Sequence, residues 1–149
     1  MRALIFVILV ATLYGCAASS TTPVRFSESI EVPEERRFEG YKRFVVRDLS
    51  EANVIVVRDK GFKASWSAIP LYINGIRVAK MKISESVALR LPLGDNLLGI
   101  TQAGYYSEEA EKNALHEQVL DVEEGETYYF RLGVLLYDGL LLQQSSQVR

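Results

Sequence analysis

One dipeptide constrains the fold of this chain more than any other feature: Asn74-Gly75, set between the apolar runs Leu71-Tyr72-Ile73 and Ile76-Arg77-Val78-Ala79. Asn and Gly both tolerate positive φ, which a type I′ turn requires at its central positions, and the twist of that turn matches the twist of paired strands. The segment therefore predicts a β-hairpin. A second pair suited to the same turn, Asp138-Gly139, stands between Leu135-Leu136-Tyr137 and Leu140-Leu141-Leu142 and predicts another.

From Asn53 onward the remaining punctuation is that of a β protein. Val54-Ile55-Val56-Val57 reads as a strand buried on both faces, closed by Asp59-Lys60-Gly61. Val87 to Leu91 alternates and ends at Pro92 and Gly94; Leu97 to Thr101 and a run beginning Val119 to Val122 follow. Glu124-Gly125 then turns the chain into a strand whose period of two places Tyr128, Phe130, Leu132 and Val134 on one face and Tyr129 and Arg131 on the other. Ser107 to Asn113 (SEEAEKN) has the composition for one helical turn capped by Ser107, but reads more simply as a solvated loop. A chain of 149 residues, 48% apolar and 24% charged, suffices for one globular domain. The expected fold is all-β, a two-sheet antiparallel β-sandwich of about seven or eight strands.

The first sixteen residues contain Arg2 and no other charge. Arg2 supplies a positive start, and Ala3 to Leu13 is an apolar stretch of eleven residues. That is too short to span a bilayer, which takes about 20 residues. Leu13-Tyr14-Gly15-Cys16 follows, and then the polar run Ala-Ala-Ser-Ser-Thr-Thr-Pro. The arrangement resembles a bacterial lipoprotein signal: Leu13, Gly15 and Cys16 match the lipobox, while Tyr14 departs from it. The resemblance implies cleavage after Gly15, a diacylglycerol on the Cys16 sulfur and acylation, palmitate for example, of the new amino terminus. Two or three chains at about 0.8 kcal/mol per buried CH₂ would anchor a protein durably. Ala17 stands where the family's inner-membrane retention signal has Asp, which implies the periplasmic face of the outer membrane. Cys16 is the single cysteine of the chain, so it stands at the one position lipidation needs.

These readings divide the chain into a signal peptide (1–15, a signal helix), a lipidated Cys16 with a flexible tether (16–40) and a β-sandwich domain (41–149). The domain also resembles the bacterial lipoproteins grouped as domain-of-unknown-function family 2846, and the PEGA-type surface domains. The likeness covers about Ala52 to Phe130. It rests on Val56-Val57-Arg58, on Leu71-Tyr72-Ile73-Asn74-Gly75, on Leu91-Pro92-Leu93-Gly94-Asp95-Asn96 and on Gly125-Glu126-Thr127-Tyr128-Tyr129. The family often has His where Asn96 stands. That group has no agreed activity, so the resemblance bears on fold and location.

The chemistry-bearing residues mostly exclude functions. One cysteine and one histidine preclude an internal disulfide framework and a thiolate zinc cluster, and no metal site is expected. No Gly-rich phosphate loop is present, so no nucleotide cofactor is expected. No Gly-x-Ser-x-Gly elbow aims a serine. His116 lies in an acidic stretch and reads as an exposed strand or loop residue. The carboxylates Glu108, Glu109, Glu111, Glu117, Asp121, Glu123, Glu124 and Glu126 supply the alternative, a cell-envelope hydrolase or glycan-processing enzyme, although solvated charge is their ordinary reading.

Net charge is −2, which argues against a nucleic-acid partner. The average conceals two blocks. Arg36 to Arg90 holds twelve basic and five acidic residues, and Glu108 to Glu126 holds eight acidic and one basic. Either the blocks meet separate partners, or they neutralise each other within the sandwich. Tyr129, Arg131 and Trp66 form the candidate binding surface for a glycan or envelope protein, with core and strand filling as the simpler role of the aromatics. The run Leu132 to Leu142 is apolar on both faces, as a central hairpin or a protein-binding surface would be. The expected function is that of a non-enzymatic, lipid-anchored envelope protein that binds or scaffolds another component.

Overall fold

Asn74 and Gly75 adopt φ of 50° and 72° in the computed structural model, the left-handed pair that a type I′ hairpin requires. The structure describes residues 21–61, 67–102, 104, 107–135 and 139–149. The hairpin joins β5 (Ile69–Ile73) to β6 (Ile76–Met81). With β8 (Gly94–Ile100) and β9 (His116–Val122) these form a four-stranded antiparallel sheet in the order β6-β5-β8-β9.

A second sheet combines β2 (Ile30–Glu31), β3 (Val54–Arg58), β7 (Glu85–Leu89), β10 (Tyr128–Leu135) and β11 (Gly139–Gln144), in the order β11-β10-β3-β7-β2. A two-stranded ribbon pairs β1 (Thr21–Thr22) with β4 (Lys60–Gly61). The fold is all-β and sandwich-like, with eight strands of five residues or more among the described residues. The five-stranded sheet is mixed where an antiparallel one was expected: β10 runs parallel to β3, and β2 parallel to β7. The Glu123–Thr127 connection carries the chain from β9 across to the other sheet, so β10 starts at the end where β3 starts.

The apolar core lies between the sheets. Val54, Val56, Val87, Leu89, Phe130 and Leu132 of one sheet meet Leu71, Ile73, Val78, Leu98, Ile100 and Val122 of the other. Phe130 and Leu132 are buried, and Tyr128 and Val134 pack against the same cluster, as period two in β10 required. The continuous run in β3 is explained by its central place, because Ile55 and Val57 point the other way into a second cluster with Val24, Ala52, Ala88 and Val148.

That second cluster corrects the expected tether. From Thr21 to Gly40 the chain is packed onto the sandwich, with Val24 and Val32 buried, β2 paired to β7, and Arg37 bridged to Ala79. Its apolar residues enter the fold singly between charged neighbours, so no period marks them. The six-residue helix α1 (Glu39–Phe44) then packs on β6, so closely at Gly40 that an added Cβ would lie 2.4 Å from the Arg77 carbonyl. The second expected hairpin is present, with Leu135 paired to Gly139, whose φ is 79°; Asp138 of the expected turn lies outside the described residues. The hairpin lies at a sheet edge with Leu140 to Leu142 half-buried, and so is not central.

The sandwich has two distinct ends. At one, β3 finishes beside the turn Lys82–Ser84 and the β1–β4 ribbon, with Ser84 N–H donating to the Arg58 carbonyl. At the other lie Asn74-Gly75, Arg90 to Leu93 and the acidic connection from Glu123 to Thr127, tied together through Asn53 and Asn96.

Candidate functional site

The expected solvated loop at 107–113 is a helix, α2 (Glu108–Asn113), and it creates the most strongly charged buried centre on the outer face of the four-stranded sheet. Ser107 Oγ caps it by accepting a 3.2 Å hydrogen bond from Ala110 N–H. One turn in, Glu111 is 2% exposed, so it is not the solvated charge its sequence context suggested. Leu71, Ile73 and Val78 face the core, while Tyr72 and Arg77 meet Glu111 on the opposite face of the sheet. Tyr72 Oη donates 2.8 Å to Glu111 Oε2, Arg77 Nη2 donates 2.8 Å to Oε1, and Lys80 Nζ lies 3.3 Å from Oε1. The Phe38 ring lies 4.0 Å from the Arg77 guanidinium carbon.

Burial, and then the hydrogen bond to Glu111, push the Tyr72 phenol well above its ordinary value. A carboxylate with both oxygens bonded and two cations beside it has little capacity left for a substrate. Its chemistry is that of a clamp holding α2 to the sheet.

Two further buried carboxylates are committed in the same way. Glu85 pairs with Arg36 and accepts from Lys82 N–H at 2.7 Å. Asp59 Oδ2 accepts from Arg131 Nε at 3.1 Å. Arg131 also donates to Gln147 Oε1 at 3.2 Å and to Thr21 Oγ1 at 3.4 Å, so it clasps the first and last described segments to the corner after β3. Arg131 was read as part of an open binding surface, and the structure corrects that, because its guanidinium is spent internally. Tyr129, read the same way, is partly buried against the Val24–Val148 cluster. Trp66, Gly15 and Cys16 lie outside the described residues.

His116 opens β9 and is exposed. Glu117, Asp121, Glu123, Glu124 and Glu126 are exposed too. The two charge blocks meet through Glu111 with Arg77 and Lys80, and these five acids remain in solvent. Among the described residues no group of three or more His, Cys, Asp or Glu converges to hold a metal, and no helix is long and apolar enough to cross a membrane.

Grooves on the surface formed by the described residues include two beside the strands of the sandwich. One, about 420 Å³, has Ser86 and Ala88 of β7 as its floor and Phe26, Val45, Val46 and Leu49 among its walls. The other, about 350 Å³, lies at the acidic end between Arg90–Leu93 and Glu123–Thr127. Sequence reasoning named Glu111 only among the solvated carboxylates and so missed its burial, and it missed both grooves. The cap Ser107 and the Glu108–Lys112 pair, spaced i,i+4 and 3.0 Å apart, were the signals that would have found α2.

No protein-family profile, no curated protein and no solved structure matches this chain.

Proposed function

We propose that this chain is a lipid-anchored lipoprotein of the bacterial cell envelope, facing the periplasm from the outer membrane, whose β-sandwich acts as a non-enzymatic binding or scaffolding module. One observation carries the reading: the only cysteine, Cys16, closes Leu13-Tyr14-Gly15-Cys16 directly behind an apolar segment too short to span a bilayer. A thiol is the group that thioether attachment requires, and no other is present in the chain. Thr21, five positions after Cys16, is paired with Gly61, which brings the proposed anchor within a short length of chain of the domain.

The binding role is supported by the groove of about 420 Å³, whose walls are largely apolar and whose rim carries Glu31 and Arg47. The buried carboxylates Asp59, Glu85 and Glu111 each face an arginine, which suits a rigid scaffold better than acid–base chemistry. The test is the mass of the residue-16 peptide from membranes, together with fractionation of Cys16→Ser. A diacylglyceryl cysteine at a new amino terminus and loss of the variant from the lipid-anchored fraction are expected. An unmodified Cys16, or a variant retained as before, overturns the reading.

A further inference from the structure

The distance between the anchor and the domain decides which end of the sandwich faces the lipid. Thr21 is five residues after Cys16, and an extended chain covers at most about 3.6 Å per residue, so residue 16 lies within roughly 18 Å of Thr21. Thr21 is itself fixed: it pairs with Gly61, accepts a hydrogen bond from Arg131, and lies close enough to Gly133 that a Cβ there would be 3.2 Å from its methyl group. From Gly133 back to Tyr128, β10 covers about 17 Å at roughly 3.3 Å per residue, and the acidic connection Glu123–Thr127 lies beyond that. A tether stretched flat along the sandwich only draws level with Tyr128. It is too short to turn the acidic end toward its own anchor.

The end within reach carries the exposed Lys60 beside Thr22 and the exposed Lys82 and Ile83 in the turn before β7. Resting on the proposed anchor, we infer that this end lies against the anionic lipid surface holding residue 16, and that Glu123, Glu124 and Glu126 face away from it. Lys60 and Lys82 of the basic block and Glu123, Glu124 and Glu126 of the acidic block then stand at opposite ends of an oriented molecule. Lysines meet lipid phosphates, and the carboxylates stand well beyond the Debye length of about 8 Å that limits their repulsion from the same surface. Two lysines alone hold a protein to a bilayer weakly, so the short tether sets the orientation and the charges complement it.

Lysine acylation tests this with an internal control, because Lys42 is exposed on α1 at the acidic end, where the Phe44 carbonyl accepts from Arg90 N–H. The protein is purified with its anchor and compared in detergent and in vesicles of phosphatidylglycerol and phosphatidylethanolamine, using a water-soluble amine-acylating ester and peptide mass analysis. Lys60 and Lys82 are expected to react several-fold more slowly on vesicles, with Lys42 unchanged. A longer Gly-Ser segment inserted after Ala18 is expected to restore their reactivity. Equal reactivity at all three lysines, protection of Lys42 instead, or protection indifferent to the insertion overturns the orientation. The residue-16 peptide from the same sample reports separately on the acyl group. Unmodified Cys16 removes the lipoprotein reading, whereas the lysine pattern still decides orientation, since retention through the preceding apolar segment leaves the same short reach.

Discussion

The two sheets share one core, yet their outer faces are closed by opposite means. On the five-stranded sheet, the first and last described segments cover Ile55, Val57 and Ala88 with the apolar side chains of Val24 and Val148. On the four-stranded sheet, α2 is held by Glu111 through Tyr72, Arg77 and Lys80. Apolar closure is tolerant of salt and pH and sensitive to volume. Closure by a buried charge depends on every partner remaining in place, because removing one strands the others away from water. The apolar cluster of the first face tolerates changed conditions better than the second face, while the Arg131–Asp59 pair that clasps Thr21 and Gln147 beside it shares the sensitivity of a buried charge.

The largest expected effect tests the charged face. Glu111→Gln keeps the shape and leaves the Arg77 cation without its counter-charge, which should cost about 3 kcal/mol of unfolding free energy, at the low end for a broken buried pair since Arg77 keeps partial contact with solvent. A loss below about 1 kcal/mol in urea denaturation would place the hold on α2 elsewhere. Next comes Val148→Ala on the apolar face, expected to cost about 2 kcal/mol through lost burial and the cavity left behind, with the same cost in low and high salt. A salt-dependent loss would break the comparison.

Tyr72→Phe comes third, at about 1.5 kcal/mol near neutral pH for a hydrogen bond to a charged group. It also has a pH signature. The unfolded phenol ionises near its ordinary 10.0 while the folded one, held higher by burial and Glu111, keeps its proton. Above about pH 10 the folded state therefore binds more protons than the unfolded state, and stability falls as pH rises; below it this linkage vanishes. The gap between wild type and Tyr72→Phe should narrow above that pH, and parallel curves would contradict the burial of the phenol. The smallest effect is Lys80→Gln, about 0.5 kcal/mol for a partly solvated partner and abolished by high salt. A larger, salt-resistant loss would make Lys80 an equal partner of Arg77.

What the sequence disclosed was local. Asn74-Gly75 and the phase of β10 followed from rules acting within a few residues, and both stand as expected. Burial of Glu111 depends on Tyr72, Arg77 and Lys80, thirty or more positions earlier, and no local pattern encodes that meeting. The parallel pairing of β3 with β10 was hidden for the same reason. In the segment 21–40, Val24 and Val32 are spaced too irregularly to declare an element, although they are as buried as the core strands. At the candidate site, Tyr129 and Arg131 were assigned the correct face of β10, but that face is covered by the chain's own ends.

The closure of Val24 against Val148 also sets an order of events in time. Tyr128 pairs with Val54 across 74 positions, and the outer cluster joins residues near both limits of the described chain. Contacts so distant in sequence form slowly, because a long loop must close before they contribute. A chain synthesised from its amino terminus holds Val54 to Arg58 unpaired with β10 until the last strands emerge, and until then its most apolar strand is open to other chains. Until Val148 has been added, Ile55, Val57 and Ala88 lack one of the side chains that cover them, so the outer face of the five-stranded sheet closes late in synthesis although Val24, its other cover, is made early.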